Sequence, residues 1–222
     1  MTYIQLESHV GFGLVGDRPV FLDLARDRYL ALPPPIERAF AQLRALDEPV
    51  LPEGPDRELL LGTGLFRTGS LLGRGVKPAT VPPCSASLLD EPARPRAGLR
   101  AILAARASVG RARKQLAGRP LREIVDAIRE NRFAARPDDT SAGIEDAARL
   151  FLAARALVPV ERCCLLDCLA VLDWLGEDAK PAMLVFGVRE DPFTAHCWLQ
   201  TDSLLLTDTA DALGAFTPVH AI

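Results

Sequence analysis

Long apolar runs are missing from this sequence. No uncharged stretch approaches the ~20 residues that a membrane-spanning helix needs, and no basic segment followed by an apolar stretch opens the chain. We therefore expect neither a membrane span nor a secretory signal, and predict a cytoplasmic, reducing location.

Several other signatures are missing too. Five cysteines, an odd number without framework spacing, favour free thiols over disulfides. No phosphate-binding loop occurs, so the chain itself should bind no nucleotide cofactor and hydrolyse none. Residues 1–80 carry nine Lys and Arg against ten Asp and Glu, so they lack the basic surface of a nucleic-acid-binding domain.

What is present predicts two small domains. The 222 residues are 49% hydrophobic, enough for two cores. Residues 81–95 are rich in Gly, Pro and small side chains and are interpreted as a linker, with Cys84 a bystander within it. We therefore place a first domain at residues 1–80 and a second at 96–222, in an α+β protein.

The first domain is predicted to contain strands followed by helices. The strands are His9–Val15, Val20–Leu24 and a third that ends at Tyr29-Leu30. Helices follow at Ile36–Leu46 and Asp56–Leu61, and Leu65–Leu72 completes the domain. The first domain is therefore predicted to be a three-stranded sheet with about three helices.

The second domain is predicted to be helical first and then to form strands. Helical segments are Arg96–Ala117, Leu121–Arg132, Glu145–Leu157 and a helix from about Cys163 to Gly176. The strands that follow are Met183–Val188, Thr194–Gln200 and Leu204–Thr207.

Cys164 is the candidate nucleophile. It falls in the first turn of its helix, where unpaired backbone N–H groups and the helix dipole favour a thiolate. Cys168 lies a full turn deeper, where that effect fades, although it remains near the site.

His196 and Asp208 are the candidate base and its orienting acid. The alternation of Thr194–Gln200 puts His196 and Trp198 on one strand face. A hairpin centred on Asp202 would place Asp208 directly opposite His196, within reach of its ring N–H. A two-residue turn would instead shift the pairing by one and place Asp208 diagonally.

A zinc site is an alternative interpretation of the same residues. Cys164 and Cys168 have ligand spacing, and His196 and Cys197 could supply two more donors. Adjacent strand residues point to opposite faces, however, so His196 and Cys197 converge poorly on one ion. We expect no metal.

The residues of this region resemble a known family. The pattern comprises Cys164-Leu165 with Leu169-Ala170, Phe186-Gly187-Val188, Pro192-Phe193, Ala195-His196, Trp198 and Asp208. It is similar to the B proteins of lasso-peptide biosynthesis, which are transglutaminase-like cysteine peptidases that remove the leader of a precursor peptide. The resemblance implies a papain/transglutaminase-like second domain with Cys164, His196 and Asp208 as its catalytic residues, and Phe193, Trp198 and Cys168 nearby. The chain departs from the family pattern at Asp167-Cys168, Cys197 and Gln200, which puts the substrate preference in question.

The first domain resembles a second family. Val20–Leu24 followed by Tyr29-Leu30 is similar to PqqD-like leader-recognition domains. The resemblance implies that the first domain has a winged-helix-like fold and that the leader pairs as an added edge strand, which is β-augmentation. The predicted leader-binding residues are Val20, Leu22, Leu24, Tyr29 and Leu30. A winged-helix DNA-binding domain is the alternative, and the acidic balance of residues 1–80 argues against it.

The lasso resemblance also implies partners: the precursor peptide, and an asparagine-synthetase-like cyclase through which activity would depend on ATP. Two other functions stay open. An acyl- or amidotransferase of transglutaminase type would use the same three residues, and a non-catalytic scaffold would only bind peptides.

Charge is divided unevenly within the second half of the chain. Residues 94–136 carry twelve Lys and Arg against three Asp and Glu, whereas residues 138–222 carry five against fourteen. Mutual neutralisation is the favoured interpretation, and a docking surface for an acidic partner or a nucleotide is the alternative.

Overall fold

The chain folds into two compact units. A computed structural model describes residues 3–46, 48–69, 76–90, 95–133 and 143–222. Unit 1 consists of Met1–Thr80 with Thr217–His220, and unit 2 of Val81–Phe216 with Ala221–Ile222. The boundary between the units falls after Thr80, and unit 1 also contains the short segment Thr217–His220.

Unit 1 is built on a three-stranded antiparallel sheet. Its strands are β2 (Val10–Val15), β3 (Arg18–Asp23) and β4 (Arg28–Ala31), in the order β2-β3-β4. Gly16 and Asp27, both with positive φ, form the two tight turns between them. The three predicted strands are confirmed, with β3 in the centre.

Two helices and a second sheet complete unit 1. Helix α1 (Pro34–Ala45) and helix α2 (Pro55–Gly62) both have proline in the first turn, where the missing N–H is tolerated. The chain also forms β1 (Tyr3–Leu6), which pairs antiparallel with β5 (Phe66–Gly69). The sequence prediction omitted β1, and a strand stands where the last of about three helices was expected. The segment 66–69 becomes a strand because it pairs with the distant β1, and local sequence propensity does not reveal that pairing.

Phenylalanines fill the core of unit 1. Phe12, Phe21, Phe40 and Phe66 are all at most 3% exposed, and their ring centroids lie 5.1–5.9 Å apart. Such aromatic pairs contribute about 0.5–1.5 kcal/mol each beyond the burial of their area. The apolar face of α1 is therefore held on the sheet.

The helices of unit 2 match their predicted positions. They are α3 (Leu99–Gly118), α4 (Leu121–Phe133), α5 (Ile144–Arg155) and α6 (Cys164–Leu175). Helix α6 packs against α3, α5 and strand β8, and it ends at Gly176, whose φ is +56°. No helix in the described part of the chain is long and apolar enough to cross a membrane.

The sheet of unit 2 covers one side of α6. It contains β7 (Met183–Arg189), β8 (Thr194–Gln200), β9 (Leu204–Leu205) and β6 (Ala86–Ser87), and a short helix α7 (Ala210–Leu213) and β10 (Thr217–Ala221) follow. Strand β8 runs antiparallel to both β7 and β9, whereas β6 is parallel to β9. The mixture of helices with mainly antiparallel strands confirms the α+β class.

The hairpin register differs from the favoured prediction. The Thr201 N–H donates to the Leu204 carbonyl at 2.9 Å and Gln200 pairs with Leu205, so Asp202-Ser203 forms a two-residue turn. A hairpin centred on Asp202 is therefore wrong. Turn length sets the register, and the shorter turn moves Asp208 one position away from the residue opposite His196.

Part of the segment predicted as a linker is built into unit 2. The side-chain amide of Gln200 donates to the Pro82 carbonyl at 2.8 Å, β6 pairs with β9, and Leu88 is only 3% exposed. The Gly and Pro content there reflects an extended segment that lies along the sheet. Cys84 also contacts this region, where its thiol donates to the Thr201 carbonyl.

Replacing Gly13 by alanine should destabilise unit 1. A Cβ at Gly13 would overlap the carbonyl oxygen of Pro218, which is backbone and cannot turn aside as a flexible side chain would. Overpacking of this kind typically costs about 1–3 kcal/mol. Urea unfolding followed by circular dichroism should show an earlier transition for Gly13→Ala. Gly62→Ala is the control, because nothing lies within 4 Å of a Cβ there; an unchanged transition for Gly13→Ala would contradict the packing of Thr217–His220 on β2.

Candidate active site

Cys164 is the first residue of helix α6. Cys163 before it is extended, with φ −140° and ψ 130°, and its carbonyl accepts the Asp167 N–H at 2.8 Å, the first bond of the helix. The Cys164 N–H thus belongs to the unpaired group at the helix N-terminus, where a negative charge is stabilised. The structure therefore places Cys164 in the first turn of its helix, as the sequence predicts.

His196 lies on β8 among aromatic rings. Its ring is stacked with the indole of Trp198, with centroids 6.3 Å apart, and lies 5.3 Å from the ring of Phe216. Trp198 is 3% exposed and its Nε1–H donates to the Gln200 side-chain oxygen at 2.8 Å. These neighbours restrict the orientation of the imidazole.

Asp208 binds His196 despite the shifted register. The Nε2 of His196 lies 3.0 Å from Oδ1 of Asp208, while the second carboxylate oxygen accepts from the Thr207 hydroxyl at 3.2 Å. A proton donated from Nε2 to the carboxylate leaves Nδ1 to interact with a thiol.

Two hydroxyl groups that sequence reasoning missed hold Asp208 in place. Ser87 on β6 donates to the Asp208 carbonyl at 2.5 Å, and the Thr207 hydroxyl accepts the Leu199 N–H at 2.9 Å. The Leu199 N–H therefore donates to a side-chain hydroxyl, where a continuing strand would offer a backbone carbonyl, and the chain leaves the sheet at this point. No pattern in the sequence marks these two residues.

The electrostatics favour a thiolate–imidazolium pair. Hydrogen bonds from the Cys197 thiol and then from His196 lower the pKa of Cys164 to about 4, although burial opposes the shift. The hydrogen bond to Asp208, followed by the bond to Cys164, raises the pKa of His196 to about 10 against the effect of burial. At neutral pH a charged nucleophile therefore lies beside a charged acid.

Cys197 is the thiol that sequence reasoning left without a role. It is 2% exposed, and the hydrogen bonds of its thiol with Cys164 and Cys168, together with burial, raise its pKa. Cys168 donates in turn to the Cys197 carbonyl at 3.6 Å. Cys197 thus stays protonated and donates to the Cys164 thiolate, a role that spacing alone does not reveal.

The other predicted residues near the site differ in accessibility. Cys168 is buried at 1% exposure, whereas Phe193, just before β8, is 57% exposed. Within the described residues no group of three or more His, Cys, Asp or Glu side chains is arranged to hold a metal ion.

The predicted leader-binding residues of unit 1 divide into two groups. Val20, Leu22 and Leu24 are at most 6% exposed and belong to the interior, so their side chains are not available to a peptide. Tyr29 and Leu30 are half-buried on β4, which pairs with β3 alone among the described strands. Strand β4 is thus an edge strand of the sheet and carries Tyr29 and Leu30.

Comparison with known protein families identifies unit 2. The family model described as the transglutaminase-like superfamily matches residues 93–221, more than half of the chain. The chain belongs to this superfamily, which indicates activity of the cysteine protease or acyltransferase type. No curated protein and no solved structure gives a significant match to the chain.

Alkylation of Cys164 should remain fast in mildly acidic solution. Because the pKa is about 4, the thiolate persists at higher pH and is protonated only as the pH falls through that value. The rate of reaction with iodoacetamide, resolved by tandem mass spectrometry, should be nearly constant from about pH 5 to pH 9. His196→Gln removes one stabilising partner and should move the midpoint upward. A wild-type rate that rises steeply between about pH 7 and pH 9, as for an ordinary thiol, would contradict the thiolate.

Proposed function

We propose that this transglutaminase-like protein is a cysteine peptidase that removes the leader from a ribosomally made lasso precursor peptide. The observation that carries the peptidase assignment is the arrangement of Cys164, His196 and Asp208, with the thiol charged and the imidazole oriented by the carboxylate. The lasso assignment rests on the resemblance of the residues around these three positions.

The proposed reaction proceeds through a thioester. The Cys164 thiolate attacks the carbonyl at the end of the leader, and protonated His196 delivers its proton to the leaving amine of the core peptide. His196 then takes a proton from water, which attacks the thioester and releases the leader acid. The Cys164 backbone N–H, unpaired at the start of α6, is one candidate to stabilise the oxyanion.

Unit 1 is proposed to bind the leader as a PqqD-like domain. Strand β4 is an outer strand of the three-stranded sheet and carries the half-buried Tyr29 and Leu30. A leader strand added there would gain backbone hydrogen bonds, while pockets beside β4 would select its side chains. The buried Val20, Leu22 and Leu24 would support this edge from the interior.

The released core would pass to a partner cyclase. An asparagine-synthetase-like enzyme that consumes ATP would close the ring, so leader removal would depend on ATP only through that partner. The proposal assigns no cofactor to this chain.

A second candidate function is acyl transfer, because the superfamily match and the thioester chemistry both allow an amine to replace water. The two functions give different products from one peptide. Hydrolysis yields a leader acid, whereas transfer in the presence of an added primary amine yields a leader amide.

Loss of Cys164 should abolish precursor cleavage, whereas loss of the Asp208 carboxylate should lower its rate. Cys164→Ala removes the nucleophile and should abolish turnover. Asp208→Asn keeps the shape but weakens the hold on His196, and should lower kcat about 10²-fold or more. Mass spectrometry of a precursor peptide of leader-plus-core form, encoded beside this chain, measures both.

Two conservative variants serve as controls for that experiment. Cys168→Ser and Asp211→Asn, whose positions lie outside the proposed set, should retain most of the turnover. Full cleavage by Cys164→Ala, or a larger loss in Asp211→Asn than in Asp208→Asn, would refute the assignment.

Changing β4 should affect binding more than chemistry. Leu30→Glu introduces a charge on the proposed leader-binding edge, so KM for the precursor should rise about tenfold or more while kcat changes little. Titration calorimetry of leader peptide into the full-length Cys164→Ala protein, with and without Leu30→Glu, checks the affinity directly. Leu46→Glu, at an exposed position after α1, is the matched control; equal affinities in all three proteins would place leader recognition elsewhere.

A further inference from the structure

Arg155, the last residue of α5, is buried and donates four hydrogen bonds. Only 2% of the residue is exposed. Its Nε donates to the Asp167 carboxylate at 2.7 Å, and its two terminal nitrogens donate to the carbonyls of Val158, Val160 and Glu161 at 3.1–3.2 Å. Four of the five guanidinium N–H groups can thus be assigned to an acceptor.

The acceptors of Arg155 lie on both sides of Cys164 in the chain. Three of them belong to the connection that leads from α5 to α6, and the last of these, Glu161, comes three residues before Cys164. The fourth, Asp167, lies three residues after Cys164, and its own N–H closes the first bond of α6. One rigid planar group therefore fixes both the approach of the chain and the first turn of the helix that carries the thiol.

This arrangement leaves little freedom to its members. A buried guanidinium that loses a partner is left with an uncompensated charge, which is strongly unfavourable. The bond to Asp167 also balances a carboxylate that would otherwise place negative charge in the same helical turn as the Cys164 thiolate. Arg155 can thus affect Cys164 in two ways. It fixes the position of the chain around the thiol, and it balances the negative charge of Asp167.

We propose that Arg155 is a positioning residue that, through Asp167 and the α5–α6 connection, holds Cys164 where His196 and Cys197 can both hydrogen-bond to it. The inference rests on the proposed role of Cys164 as the nucleophile. It assigns to a buried ion pair of unit 2 a role in thiol activation that goes beyond support of the fold.

Two variants separate position from charge by the pH midpoint of Cys164 alkylation. The ionisable groups around this thiol are His196, Cys197 and, behind the imidazole, Asp208 on the sheet side, with Cys163, Cys168, Asp167 and Arg155 on the helix side. Arg155→Lys keeps the positive charge but cannot reach all four acceptors. Asp167→Asn keeps the shape but removes a negative charge.

Positioning and electrostatics predict different results for these variants. If Arg155 and Asp167 position Cys164, both variants weaken its bonds with His196 and Cys197, and the midpoint rises by about one pH unit or more. If they act by charge alone, Arg155→Lys leaves the midpoint unchanged and Asp167→Asn lowers it. Iodoacetamide rates from about pH 3 to pH 10, in a shared Cys163→Ser background, measure the midpoint.

Arg111→Gln is the matched control. Arg111 binds Asp173 at 2.7 Å, so it pairs with the same helix α6 more than two turns from Cys164. Its loss should leave the midpoint in place. Circular dichroism establishes which variants are folded. If Arg155→Lys does not fold, the test rests on the isosteric variant Asp167→Asn.

An unchanged or lower midpoint in folded Asp167→Asn would overturn the inference, and a rise would support it. The experiment contains no peptide substrate, so its result is independent of the proposed peptidase activity. A protein that cleaves no precursor while the midpoints shift as expected would refute the proposed function alone. Cleavage with unmoved midpoints would refute the role of Arg155 alone.

Discussion

The proposed chemistry depends on one junction, where the N-terminus of α6 meets the side chains of β8. At that junction Cys164 lies beside Cys197 and His196, two adjacent residues of the strand that both lower the pKa of its thiol. The helix end favours negative charge on sulfur, and Asp208 favours positive charge on the imidazole. The two ionised groups then stabilise each other, so a slight displacement of the helix would weaken every one of these interactions.

Four residues of unit 2 hold this junction in place from different sides. Arg155 holds the helix start from α5, while Ser87 and Thr207 hold Asp208 where the chain leaves the sheet. Trp198 supports the ring of His196. Its indole N–H donates to the Gln200 side chain, whose amide in turn donates to the Pro82 carbonyl. The extended segment that begins at Val81 is therefore part of the architecture of the site, because two of these four supports reach back to it.

Cys197 distinguishes this site from a simple set of three residues. A buried thiol donor beside the nucleophile adds a second stabilising contact to the one from His196, and Cys168 braces the backbone of the same residue. Cys164 and Cys197 differ in protonation state because their surroundings differ. Cys164 is ionised at the helix end, whereas its two sulfur neighbours and burial keep Cys197 neutral.

The sequence by itself determined the order of nearly all elements and singled out Cys164, His196 and Asp208, which the structure brings to one site. Apolar residues at helical spacing marked α6, and Gly118 and Pro120 marked the break between α3 and α4. A short apolar run marked β7, alternation marked β8, and the position of Cys164 at a helix start pointed to a thiolate. These features are local, since they depend on side chains a few residues apart. The residues quoted for the family resemblance lie in the same segments.

Only the tertiary structure decided the contacts between distant segments. Strand β1 exists through pairing with β5, some 60 residues away in the chain, and Thr217–His220 joins unit 1 from the far end. The two-residue turn, the bonds from Ser87 and Thr207, and the convergence of Arg155 on Asp167 likewise join positions that no periodicity connects. The physical reason is that hydrogen bonds to buried charges and backbone groups form wherever folding brings a partner within about 3 Å, and sequence spacing does not encode that distance.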